Sequence, residues 1–141
     1  MMLLFLHLVA AAFWLGGLIL LIVVVVVGLR TLDREAFGRL IRGTGRAFAV
    51  GSVLAWAVLA VTGFLLARQH IDSLSQLTTT DFGRRLTVKI GLAGLAVVAA
   101  TAHTITGRSR SRPVLAASRV LALVAFIATV AVFYQATQLG V

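Results

Sequence analysis

The chain has 141 residues, 60% of them hydrophobic, with a formal charge of +9 and no cysteine. Its mean hydropathy of +1.06 lies outside the soluble globular range and marks an integral membrane protein. The lack of cysteine excludes disulfides and thiolate metal sites. The arginines fall between apolar runs instead of along one patch or helix, which argues against a nucleic-acid surface.

A bilayer core takes about 20 apolar residues per helix. Residues 2–29 carry no formal charge and form the first expected span. That run lacks the basic leader of a signal peptide and is long for one, so it reads as a retained helix. Residues 31–45 mix charges with Phe37, Leu40 and Ile41, and read as a short amphipathic helix on the inner leaflet. Residues 47–67 form the second span. Residues 69–85 form the only long outer loop, with Asp81 placed to cap the third helix. The third span is 86–106, interrupted only by Lys89. The fourth is 114–139, with Pro113 as a first-turn residue.

Short connections predict antiparallel neighbours. The expected fold is therefore all-α, a single integral membrane four-helix antiparallel bundle. Arg30, Arg34, Arg39, Arg42, Arg46, Arg108, Arg110, Arg112 and Arg119 fall on one side, against Arg68, Arg84, Arg85 and Lys89 on the other. The positive-inside rule then puts both termini outside a multi-pass inner-membrane protein. Anionic lipid headgroups are expected contacts for the basic segments.

This topology sorts the polar residues by depth. His7 belongs near the outer end of span one and His103 near the inner end of span three, so the two are not expected to share a metal ion. The outer end also collects Lys89, Gln69, His70, Asp81, Tyr134, Gln135 and Gln138, with Met1 and Met2 at the amino terminus. Imidazole and thioether donors suit copper, methionine especially Cu(I). His7, Met1, Met2 and His70 are thus the candidate metal residues. Trp14, Thr62, Lys89, His103, Tyr134 and Gln138 are candidates for a transport path or polar cluster.

Each has a plainer reading. Lys89 can snorkel to the headgroups, and His70 can be a solvated loop residue. His103 can be a helix-end histidine. Trp14 and Trp56 fall mid-span, away from the usual aromatic belts, and read most simply as packing residues. An ionisable side chain inside a span is nevertheless a functional candidate by default.

Three patches resemble the copper resistance protein D (CopD) family. "HLVAAAFWLGGLIL" resembles its first-helix pattern of histidine, tryptophan and a glycine pair. "GRAFAVGSVLAWAVLAVTGFLLA" resembles its arginine–phenylalanine beginning and threonine–glycine end. "LTTTDFGRRLTVKIGL" resembles its threonine, aromatic–glycine, leucine and lysine pattern. Phe82 stands where the family commonly has tyrosine, and methionine-rich stretches are absent. The resemblance implies a four-helix domain concerned with copper movement, with His7, Trp14, Thr62, Gly83 and Lys89 on motif positions. It also implies a homo-oligomer or a periplasmic copper-binding protein as partner.

A second resemblance is to the HemJ-type haem proteins, which share a first-helix histidine, a nearby tryptophan and a lysine beginning the third helix. It implies haem b on His7, with Lys89 at a propionate or in catalysis. A third reading is a non-catalytic module assembling with a larger partner. Soluble-enzyme signatures are missing: the carboxylates are Asp33, Glu35, Asp72 and Asp81, two on each expected side. Ser52 and Ser118 have no base near them in sequence.

Overall fold

The computed structural model describes residues 1–107, 109 and 111–138. Arg108 and Arg110 of the charge comparison, and the expected end of span four at 139, lie outside the described residues. Among the described residues five helices follow in chain order: α1 Met2–Thr31, α2 Arg34–Ala67, α3 Gln76–Thr79, α4 Asp81–Thr106 and α5 Arg112–Thr137. Four of them, α1, α2, α4 and α5, are long and apolar enough to cross a membrane. Helix is the expected form there, because it satisfies every backbone donor and acceptor within the segment. The chain divides into two compact units, Met1–His70 and Ile71–Val141.

In the first unit, α1 stops where Leu32 turns to extended backbone, and Asp33 starts the next helix at once. The Asp33 carboxylate accepts from the backbone N–H groups of Glu35 and Ala36 at 2.9 and 2.8 Å. Such a cap satisfies donors that a helix start leaves open.

From there α2 runs unbroken for 34 residues. The separate surface helix expected over 31–45 is therefore corrected: its basic residues are the first turns of the second span's own helix. Gly38, Gly43 and Gly45 lie within this run without breaking it, since each costs only about 1 kcal/mol in a helix interior. No proline interrupts the run, and the Arg39–Glu35 pair at 2.5 Å supports its exposed start. At 1.5 Å per residue α2 is about 51 Å long, well beyond a hydrocarbon core of about 30 Å.

Phenylalanine rings seated on glycines hold α1 against α2. A Cβ at Gly17 would overlap the Phe48 ring, one at Gly51 would lie 2.5 Å from Phe13, and one at Gly28 would lie 2.9 Å from Phe37. The α2 partner number falls as the α1 number rises, so the two helices form an antiparallel hairpin.

The second unit begins with a sharp corner. The single turn α3 packs against the start of α4 at Gly83, where a Cβ would overlap the Gln76 carbonyl. The cap of α4 is Thr80 and not Asp81, a second correction. Thr80 has the extended backbone a cap requires, and its hydroxyl accepts from the Gly83 N–H at 3.0 Å. Asp81 is already helical, with its exposed carboxylate 3.6 Å from Arg84. Pro113 lies in the first turn of α5, as expected. Buried Ala96 and Ala99 on α4, and Ala125, Ala128 and Thr129 on α5, supply the unit's small-residue packing. His103 meets Ser118 at one end and Arg85 meets the Gln138 carbonyl at the other, so α4 and α5 are also antiparallel.

Candidate functional site

His7 and Thr62 lie 55 residues apart and meet across the α1–α2 hairpin, His7 Nδ1 being 2.9 Å from Thr62 Oγ1. The threonine hydroxyl has a single proton, and Val58 O sits 2.6 Å away to accept it. Thr62 Oγ1 therefore accepts from His7, and Nδ1 is the protonated ring nitrogen. In the neutral ring this places the lone pair on Nε2. The sequence makes the arrangement possible in two ways. Thr62 is buried on the hairpin face of α2, and its neighbour Gly63 leaves room for the imidazole, whose Cε1 would lie 3.3 Å from a Cβ there.

Below this pair, deeper into the hairpin, lies an aromatic floor. Trp14 is only 5% exposed. Its ring stacks on Phe48 with centroids 5.5 Å apart and meets Trp56 edge-on at 5.1 Å. Phe13 extends the stack to Phe48 at 6.2 Å. Trp14 is thus a packing residue seven positions, or about 10.5 Å along the axis, from His7. Trp56 is different, because its indole N–H is buried with no hydrogen-bond partner among the described residues.

The other first-unit candidates are surface groups. Met1 and Met2 are exposed. His70 is exposed too, with Nδ1 3.2 Å from the Leu66 carbonyl.

In the second unit His103 is half-buried at the end of α4. Its Nδ1 lies 2.8 Å from both the carbonyl and the hydroxyl of Ser118. A carbonyl only accepts, so Nδ1 again carries the proton, and the Ser118 hydroxyl is left to donate to the His103 carbonyl at 3.3 Å. The structure thus brings beside Ser118 an imidazole that lies far from it in sequence. The imidazole is nevertheless a donor to Ser118 and does not activate its hydroxyl.

Lys89 is half-buried on α4. Tyr134 is 64% exposed on α5. Gln138 takes part through its backbone, accepting from Arg85 Nη1 at 2.7 Å. The Thr87 hydroxyl lies 2.9 Å from Gly83 O within α4 and 3.3 Å from Leu77 O across the corner.

Sequence reasoning singled out His7, Trp14 and Thr62, and the structure joins His7 to Thr62. It missed the parts played by Phe13, Phe48 and Ser118. A glycine facing each phenylalanine was the available signal for the first two. Ser118 on α5 meets His103 on α4, a pairing visible only once both helix boundaries are known. Among the described residues, no group of three or more histidine, cysteine, aspartate or glutamate side chains assembles to hold a metal ion. Compared with known protein families, curated proteins and solved structures, the chain matches none.

Proposed function

We propose that this is a CopD-like multi-pass protein of the inner membrane that handles copper ions, with His7 as the ion's imidazole ligand. The observation that carries the reading is the hydrogen bond from His7 to Thr62. It orients the ring and leaves the lone pair on Nε2, the form in which imidazole binds a metal. A hydrogen bond from the second ring nitrogen is the usual companion of a metal-binding histidine. The membrane setting supports a transport role, since an ionisable side chain within a span marks an ion path by default.

The full arrangement proposed is an antiparallel four-helix bundle with both termini outside, following the arginine distribution. With no three-residue His/Cys/Asp/Glu set among the described residues, the remaining ligands come from methionine or from a second molecule. That second molecule is another copy of the chain or a periplasmic copper-binding protein.

The test is Cu(I) binding by the detergent-purified protein in competition with a chromogenic chelator. His7→Ala abolishes binding, and Thr62→Val lowers affinity about tenfold by removing the orienting partner. Wild-type protein that binds no more Cu(I) than His7→Ala overturns the proposal.

A second reading, haem b on His7, draws on the same Nε2 lone pair and on the neighbouring aromatic rings, since imidazole is a common axial ligand. The visible spectrum of the same preparation separates the two: a Soret band lost in His7→Ala favours haem.

A further inference from the structure

The start of α5 carries a groove of about 330 Å³ lined by Arg112, Leu115, Ala116 and Arg119. These residues share one face of the helix, with the two arginines two turns apart, about 10.5 Å along the axis. Both are exposed. Among the described residues the ion pairs are Arg39–Glu35 and Arg84–Asp81, so neither groove arginine has an acidic partner there. Leu115 and Ala116 form an apolar floor between two positive walls.

The same helical face continues away from the arginines as Leu123, Ile127 and Val130, which are 58%, 57% and 46% exposed. It ends at exposed Tyr134. From Arg112 to Tyr134 is about 33 Å of helix, close to a hydrocarbon core of about 30 Å. The face is therefore cationic at one membrane boundary, aliphatic through the core and aromatic at the other boundary.

We propose that this groove binds the headgroup of an anionic phospholipid. The phosphodiester sits between the Arg112 and Arg119 guanidiniums, and an acyl chain runs along Leu123 and Ile127. Charge and shape both point to this occupant. Planar guanidiniums form paired hydrogen bonds with phosphate oxygens, and the stripe beyond offers only aliphatic contact. The inference rests on the chain spanning a bilayer and is independent of copper.

The test titrates delipidated protein in neutral detergent with phosphatidylglycerol, phosphatidylcholine and inorganic phosphate, counting bound lipid by native mass spectrometry. Wild type prefers phosphatidylglycerol, and Arg112→Gln with Arg119→Gln lowers that affinity about thirtyfold, the effect of two surface arginines. Ala116→Trp fills the groove, keeps both charges and causes a comparable loss. Arg34→Gln with Arg46→Gln removes two charges elsewhere and leaves binding unchanged.

Equal loss in this last variant would reduce the effect to bulk charge and overturn the proposal. So would equal affinity for phosphatidylcholine, or competition by inorganic phosphate at the lipid's own concentration. An Ala116→Trp variant that changes oligomeric state with its lipid binding intact overturns it too, and assigns the face to a second copy.

Discussion

The two units solve one problem with different materials. Each is an antiparallel pair of long apolar helices, and each joins its helices by a histidine that donates from Nδ1 to a residue of the partner helix. In the first unit the contact lies at the end of the hairpin far from its connection, and large rings on glycines carry the packing. In the second it lies beside the connection, and small residues carry the packing. Within a membrane there is little hydrophobic gain from pairing helices, so close packing and hydrogen bonds decide. Rings in notches and a small-residue seam are two ways to obtain that closeness.

The comparison is broken most forcefully at the aromatic floor. Trp14→Ala is expected to destabilise the α1–α2 hairpin by about 3 kcal/mol through the cavity it leaves. Reversible unfolding in mixed micelles measures this, and an unchanged midpoint would remove the rings from the account. Ala96→Leu tests the small-residue seam. Overpacking there costs about 2 kcal/mol, and a variant as stable as wild type in the same assay would mean that the seam has room to spare.

The smallest effect sharpens the comparison most. Thr62→Val and Ser118→Ala each remove a hydroxyl and cost about 1 kcal/mol. Their imidazoles should respond differently in nitrogen-15 NMR. His7 loses its Nδ1 preference with the Thr62 hydroxyl, whereas His103 keeps its own because the Ser118 carbonyl remains. Equal responses would show that the two histidines are held alike.

The long helices were legible because uncharged runs of sufficient length have few alternatives. The start of α2 was not, since arginines and glycines in 31–45 read equally as a surface helix or as the extension of a span. The unbroken run of helix from Arg34 to Ala67 resolves it. Thr80 and Asp81 are both capping residues, and the choice turns on backbone angles that sequence does not express. His7 and Thr62 each drew attention alone, the first as an ionisable group within a span and the second as a possible interior hydroxyl. Their pairing depends on hairpin register, which a slide of one turn would change. The alignment of Arg112, Arg119 and Tyr134 on one face of α5 follows from helical spacing alone and holds in any register.

The length of α2 acts as a depth gauge. Its uncharged stretch runs from Ala47 to Ala67, bracketed by Arg46 and Arg68. At about 32 Å it matches the hydrocarbon core with little slack. Sliding by one turn in either direction would draw an arginine inward, at a cost of up to about 3 kcal/mol if it neared the midplane. The helix is thus locked from both sides, and the His7–Thr62 bond ties the depth of α1 to the same scale. Thr62 is six residues from Arg68, so the imidazole sits about 9 Å below the arginine's level. That offset fixes the imidazole at one depth along the span.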